Sequence, residues 1–281
     1  MESLKVIRNR IKTIGSIMKA TNTMKMVATV KLSRVHHENK HSRQCAEMLQ
    51  NMLVLSMNEC LYEERIPHDH WLGQTTGRTL ILVLSTNQGF CGPFNQLITK
   101  KASELVNENP GAYVEVFGKK GNSIKQNSEK SITVERTYAS QDTRKFTSLL
   151  VRLITEYITK FGVWNIHVVS GEYKNAITQK ASSNQIFPIE QTYSGTTPYV
   201  EIEGNDVNFL EELFTSYLKR MLNALIMEHL VAELSARVIT MDNSVKNARD
   251  MSDNLGTLYN RLRQDKITQE LTEIVSSTEC V

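Results

Sequence analysis

The sequence predicts an α/β fold class: a long antiparallel coiled coil of N- and C-terminal helices with an inserted Rossmann-like α/β domain. Three observations lead there. Residues 208–281 hold no proline and a single glycine, Gly256. Residues 16–65 hold neither. Between them lies a different texture, in which short aliphatic runs alternate with amphipathic stretches and glycine or proline turns. The expected organisation is 1–60 as the first coiled-coil helix, 61–206 as the inserted α/β domain with its linkers, and 207–281 as the second coiled-coil helix.

Helices are broken by proline and weakened by glycine, so the clean C-terminal run is expected to be one continuous helix. At ~1.5 Å per residue it would exceed about 100 Å, more than a globular core can wrap, so most of it needs a partner. Its apolar positions step in threes and fours through Met241, Val245, Ala248, Met251, Leu255, Leu258 and Leu262, which is a coiled-coil seam. The next apolar residue, Ile267, is five further on, followed by Leu271 and Ile274. Beyond Leu262 the helix is therefore expected to change the surface that it faces. An ordinary long amphipathic helix in a bundle is the competing reading.

At the other end Leu4, Ile7, Ile11, Ile14 and Met18 keep a heptad step, and a helix is expected over about 3–57. After Met18 the strict heptad positions are Thr21 and Lys25, whereas the apolar residues fall at Met24, Val27 and Val30. The seam is expected to rotate there. Two stripes at opposite ends of one chain bury each other most simply as an antiparallel pair; a homodimeric coiled coil is the alternative.

Pro67, Gly73 and Gly77 mark a linker out of the first helix. The run 79–85 (TLILVLS) has the continuous apolar character of a buried parallel strand. The turn TNQGFCGPFN and a helix over 94–107 follow, ended by Asn109, Pro110 and Gly111. A strand is expected at 113–117, a helix at 142–161 with Asp142 as N-cap, and a strand at 164–170. Strand, helix, strand, helix, strand specifies a small, mainly parallel sheet. Pro188, Gly195 and Pro198 punctuate the way into the last helix.

The chain of 281 residues carries 33 basic and 30 acidic side chains, a net +3 that demands no nucleic-acid partner. Locally the balance differs: residues 1–43 hold ten Lys and Arg, among them Arg8, Arg10 and Lys25, against Glu2 and Glu38. Such an excess reads as a contact face for something acidic: nucleic acid, anionic lipid or a protein surface. Cys45, Cys60, Cys91 and Cys280 make no CxxC pair, which points to a reducing compartment. The longest aliphatic run, 80–84, is far short of the ~20 residues that span a bilayer. Met1 leads within three residues into a helical pattern, with no signal-like apolar region and no room for a transit peptide, so a cytosolic chain is expected.

Three motifs could carry chemistry. Gly89-Phe90-Cys91-Gly92-Pro93 is a glycine turn between strand and helix, a place where phosphates bind. It fits neither GxGxxG nor a P-loop, and Phe90 and Phe94 suit packing better than phosphate contact. His37-Glu38-Asn39-Lys40-His41 matches HExxH, the two-histidine helix motif of zinc peptidases, with Glu59, Glu63 or Glu64 available as a third ligand. It lies on a basic helix without pocket-forming strands, and an exposed polar face is the simpler reading. The third is Tyr259–Val275, where Arg263 and Gln264 could grip carboxylates and backbone groups of a partner, or form a solvated face with i,i+4 charge pairs. A basic-helix adaptor that binds nucleic acid stays open as another class, although the stretch is poor in the aromatic platforms that single strands favour.

The run YNRLRQDKITQELTEIV resembles the C-terminal signature of the gamma subunit of F-type ATP synthases. IRNRIKTIGSIMKATNTMKMVATVKL is similar to that family's first helix, STNQGFCGPFN to its first strand–turn–helix, and Glu233-Leu-Ser-Ala-Arg237 with Met241-Asp-Asn243 to the middle of its last helix. The four matches lie in order and span nearly the whole chain. Ser277-Thr278 stand where the family usually has Gly-Ala, and Ala20 where it usually has isoleucine. The cysteine insertion of the chloroplast type is absent.

The resemblance implies a central rotor shaft without a catalytic site of its own. Its coiled coil would sit in a ring of alternating alpha and beta subunits, one copy per complex, with an epsilon subunit beside it and the α/β domain as a foot on the c-ring. It implies no cofactor, no metal and no nucleic acid. Membrane association would come through partners only, on the cytoplasmic face of a bacterial inner membrane rather than in a mitochondrial matrix. By motif match, Arg263, Gln264, Ile267, Thr268 and Glu270 would meet the alpha and beta subunits. Arg8, Arg10, Met24 and Lys25 would lie near the acidic lever of beta, and Glu203 would face the c-ring.

Overall fold

The computed structural model describes residues 3–62, 77–121, 132–136, 143–175, 177–189 and 206–279. In chain order the elements are α1 (Leu4–Tyr62), β1 (Arg78–Leu84), α2 (Phe94–Glu108), β2 (Tyr113–Phe117), β3 (Ile132–Arg136), α3 (Thr143–Phe161), β4 (Val163–Tyr173), β5 (Gln179–Phe187) and α4 (Asp206–Glu279). Both expected long helices are continuous, at 59 and 74 residues. The chain divides into two compact units, Met1–Thr29 with Arg237–Val281, and Val30–Ala236. Along the sequence the division falls inside α1 and inside α4. Asp142, Pro67, Gly73, Gly195, Pro198 and Glu203 lie outside the described residues.

The second unit is built on a five-stranded sheet in the order β3-β2-β1-β4-β5. The first four strands are parallel and β5 runs antiparallel to β4. Three strands are legible in the sequence. The structure adds β3 and β5. β5 reads QKASSNQIF and lacks the apolar alternation that marks a strand, because small polar side chains suffice on an edge strand that pairs on one side only.

The aliphatic run of β1 is buried on both faces of the sheet, as a central parallel strand requires. Leu80, Leu82 and Leu84 belong to one cluster with Phe146, Leu150 and Ile154 of α3 and Leu213, Tyr217 and Leu225 of α4. Ile81 and Val83 belong to another with Phe94, Ile98, Ala102 and Leu105 of α2. Helix α4 follows the β4–β5 side: Tyr217 donates its hydroxyl to the Ile186 carbonyl at 3.2 Å, and Gln179 Nε2 donates to Ser235 Oγ at 3.3 Å. In this unit α1 adds Val35, Leu49, Leu53 and Met57 to the larger cluster, and Asn223 Nδ2 donates to Ser42 Oγ at 2.8 Å.

The first unit is a helix pair. Its covered stripe on α1 runs through residues 4, 7, 11, 14, 18, 21, 25 and 28, and burial along α1 continues through 32, 35, 39 and 42 with no slip. This corrects the expected rotation after Met18. Thr21, Lys25 and Ala28 stay in the stripe, whereas Met24, Val27 and Val30 are 49%, 51% and 68% exposed. The physical reason is that a strict heptad fixes direction whatever residue occupies the position. Lys25 is accommodated because its Nζ meets Asp242 Oδ1 of α4 at 2.5 Å.

On α4 the covered stripe is Met241, Val245, Ala248, Ser252, Leu255, Tyr259 and Leu262. This corrects the seam as well: Met251 and Leu258 are 58% and 39% exposed, and Ser252 and Tyr259 take their places. Counted from the Lys25–Asp242 pair, the covered stripe of α1 ends at Leu4 and that of α4 ends at Leu262, nearly the same number of turns away. Only antiparallel helices end together in that way. From 263 to 275 every residue of α4 is exposed.

Candidate functional site

In a doubly wound sheet, small ligands bind beyond the carboxyl ends of the strands, where the strand order reverses. Here that place is the crevice between β1 and β4, beside the turn 85–93. The turn is held by its own polar groups. Ser85 Oγ donates to the Phe117 carbonyl at 2.9 Å, Thr86 Oγ1 donates to the Gln88 carbonyl at 2.7 Å, and the Thr86 amide donates to Asn95 Oδ1 at 3.2 Å. Asn95 Nδ2 reaches Cys91 Sγ at 3.1 Å. Gly92 takes φ +57° and Phe90 takes φ +64°, an uncommon region for a bulky residue, with the Phe90 ring exposed.

The crevice itself is packed. Cys91, Phe94, His229 and Ala232 are all buried. The Gly171 amide, just past the last β1–β4 pairing, donates to His229 Nδ1 at 3.1 Å, and the Phe94 ring lies 5.4 Å from the imidazole. A Cβ on Gly171 would meet the Phe94 ring at 2.4 Å. Because Nδ1 accepts, the proton of the neutral ring sits on Nε2, which has no hydrogen-bond partner among the described residues. Burial brings the His229 pKa down to about 4. Side chains of α2 and α4 thus stand where a nucleotide phosphate would enter. The sequence signal for this plug was weak, since a single histidine in an apolar run says nothing of what it packs against.

The HExxH match lies on α1 in the second unit. The His37 and His41 rings are 5.7 Å apart and both side chains are exposed. Among the described residues no group of three His, Cys, Asp or Glu side chains could hold a metal. The Glu59 side chain, Glu63 and Glu64 lie outside the described residues. Among the described residues no helix is long and apolar enough to cross a membrane.

The partner-contact candidates fall on the helix pair of the first unit. Arg8, Arg10, Arg263, Gln264 and Thr268 are exposed. Glu270 is exposed and pairs with Lys266 at 3.5 Å. Ile267, Leu271, Ile274 and Val275 are 48%, 57%, 62% and 55% exposed, a run of large apolar side chains that water does not favour. Lys25 lies in the covered stripe, with its ammonium engaged by Asp242. Val27, Met251 and Leu258 are exposed beside the seam; sequence reasoning did not name Val27 as a contact candidate and placed Met251 and Leu258 inside the seam. The signal was there: Val27 follows Met24 by three and Leu258 follows Met251 by seven, each one place off the strict heptad.

A protein-family model described as ATP synthase matches residues 3–281. The chain is 30% identical to the ATP synthase gamma chain of Maricaulis maris over 100% of both chains. It is 30% identical to that of Campylobacter jejuni subsp. doylei over 99% of both, and 27% identical to that of Rickettsia bellii over 100% of both. Among solved structures, a chain of the rotor of the Euglena gracilis mitochondrial ATP synthase aligns with a TM-score of 0.68 at 15% identity, covering 94% of this chain and 98% of that one. A chain of the central stalk and c-ring of the Tetrahymena thermophila mitochondrial enzyme aligns with a TM-score of 0.62 at 18% identity, covering 80% and 98%. At those identities the structures speak for the fold, while the family model and the full-length bacterial relatives speak for descent. The chain belongs to the ATP synthase gamma-chain family.

Proposed function

We propose that this chain is the central-stalk rotor subunit of a proton-translocating ATP synthase, coupling rotation of the c-ring to ATP synthesis or hydrolysis on the beta subunits. It transmits torque and supplies no catalytic group. One observation carries the reading beyond family membership. The helix pair leaves Met24, Val27, Met251 and Leu258 exposed beside a filled seam, and α4 then continues past the pair with Ile267, Leu271, Ile274 and Val275 exposed. These apolar side chains need a covering surface, which a ring of alternating alpha and beta subunits provides. A contact of this kind is non-directional and depends on area more than on orientation, so it tolerates rotation.

Arg8, Arg10, Arg263, Gln264, Thr268 and Glu270 then supply the polar contacts to alpha and beta that distinguish one rotational state from another. A ligand moves an equilibrium only by its differential affinity for the states, and a rotor drives three identical sites only by touching them differently. The epsilon subunit completes the stalk, Glu203 faces the c-ring, and one copy serves each complex. The complex is placed at the cytoplasmic face of a bacterial inner membrane, held there through partners.

The test is affinity capture of the tagged chain from its native membrane. Alpha, beta, epsilon and c subunits are expected with it, at three alpha and three beta per copy. Recovery as a homodimer alone, or with stoichiometric zinc that is lost in His37→Ala, contradicts the reading.

A further inference from the structure

Lys25 is the one cation in the covered stripe of α1 within the first unit, placed between Thr21 and Ala28. Its Nζ lies 2.5 Å from Asp242 Oδ1, and the other oxygen of the same carboxylate lies 2.9 Å from Lys246 Nζ. The Lys25 and Asp242 side chains are each about one-third exposed, at 35% and 33%. A pair so placed adds little to stability. Its better-attested use is specificity, since a polar group in an otherwise apolar seam penalises every arrangement that leaves it unmatched.

The neighbouring seam needs such a device. On the α1 side the pair is flanked by a small and a polar residue, Ala28 and Thr21, which lie in the stripe opposite Met241 and Val245 of α4. Side chains as short as Thr21 and Ala28 interlock weakly with their neighbours, so apolar packing alone does little to fix how α1 is turned about its own axis. Met24 precedes Lys25 directly and Val27 lies two places beyond it, so any turn of α1 re-aims both.

We propose that Lys25 is a positioning residue of the rotor: by closing on Asp242 it fixes α1 against α4 and so sets the direction in which Met24 and Val27 face their partner. Lys25 then works inward, on its own chain, and does not itself grip a carboxylate of the beta subunit. The functional half of this inference rests on the rotor reading above.

The experiment compares wild type, Lys25→Arg, Lys25→Asp and the mirrored triple variant K25D/D242K/K246E. Each is assembled with its partner subunits in membrane vesicles and read by protons pumped per ATP hydrolysed. The same four full-length chains are read by thermal unfolding. Lys25→Asp is expected to lower the coupling ratio severalfold, and its melting temperature, because it faces Asp242 with a like charge. Lys25→Arg is expected to stay near wild type, and the mirrored variant to recover both readouts, since it rebuilds the pair with the charges exchanged. If Lys25→Asp blocks assembly, recovery of assembly in the mirrored variant is the supporting result. A mirrored variant as defective as Lys25→Asp overturns the proposal, because the lysine would then be needed by a partner. An unchanged Lys25→Asp overturns it too. A wild-type complex that pumps no protons speaks against the rotor reading alone, and the unfolding series still decides the pair.

Discussion

Helix α4 is one uninterrupted element that lives in three environments. From 222 to 236 nearly every residue is buried, Leu222, Ile226, Leu230, Val231 and His229 among them. From 263 to 275 every residue is exposed. Between these stretches a single stripe is covered. Helix propensity is similar along the whole length, so propensity does not explain the gradation. What changes is the distribution of apolar side chains: all round the helix in the first stretch, on one covered heptad line in the second, and on a line that is exposed among the described residues in the third. A helix that is hydrophobic all round is core, and one with a narrow apolar stripe is a pairing helix. The third stretch is the one that the rotor reading assigns to its partners.

The comparison is sharpest in two leucines. Leu222 is 1% exposed and Leu258 is 39% exposed. Leu222→Ala should cost the second unit about 2–5 kcal/mol, the range for an emptied core site. Leu258→Ala should change the stability of the isolated chain by no more than about 0.5 kcal/mol. Chemical denaturation of both variants checks this, and equal losses would remove the distinction between core and exposed surface. In the assembled complex the order should narrow, because Leu258 is then covered.

The buried stretch should also respond to pH. His229 has a folded pKa of about 4 against 6.5 for the free side chain. The group is depressed, so its contribution is fully present above pH 6.5 and is lost progressively as pH falls toward 4. The unfolded chain takes up the proton first. The loss amounts to at most about 3 kcal/mol at the low end. His229→Gln, which keeps an acceptor for the Gly171 amide, should flatten that slope. A slope unchanged in His229→Gln would assign the acid sensitivity elsewhere. Asp242, held down to about 2 by its hydrogen bonds to Lys25 and Lys246, keeps its charge in the folded chain across this window; its own contribution is lost lower, as pH falls from about 4 toward 2.

On the exposed stretch, Arg263 and Gln264 are expected to form charge-assisted or neutral hydrogen bonds to the beta subunit. A charge-assisted contact is worth about 1.5–3 kcal/mol in the state where it forms, and a neutral one about 0.5–1.5 kcal/mol. Replacing both with Ala should slow steady-state ATP turnover of the complex and leave the melting of the isolated chain unchanged. Unchanged turnover would show that the pair makes no such contact. The smallest effect concerns the turn at Gly89–Pro93. With Phe94, His229 and Ala232 filling the crevice beside it, calorimetry of the isolated chain should detect no micromolar binding of ATP.

The long helices, β1, α2, β2, α3 and β4 were legible because each carries its own periodicity or an aliphatic run between breakers. β5 was not, because every residue from Lys180 to Gln185 except Ala181 is polar, and the strand pairs without presenting a continuous apolar face. The seam was half legible. Apolar residues identified it at Ile7, Ile11, Val245 and Leu262, but misplaced it at Met24 and Met251, where the largest apolar side chain stands one position away from the strict heptad. That displacement is physical: a side chain kept apolar outside the seam faces something other than the second helix. The plug at His229 could not be read, since nothing local in the sequence brings Gly171, Phe94 and His229 together.

The central claim is that the last stretch of α4 serves a surrounding surface while the paired stretch carries the load. A truncation series in the assembled complex, read by recovery of the complex and by ATP-driven proton pumping, tests it most directly. Removing the residues after Ser276 should leave assembly and most coupling intact. Cutting back to Leu255 should abolish both, since it strips Tyr259 and Leu262 from the seam and takes Arg263 and Gln264 with them. If the short deletion is as damaging as the deep one, the tip itself is gripped, and the account of a smooth sleeve around an exposed helix is contradicted.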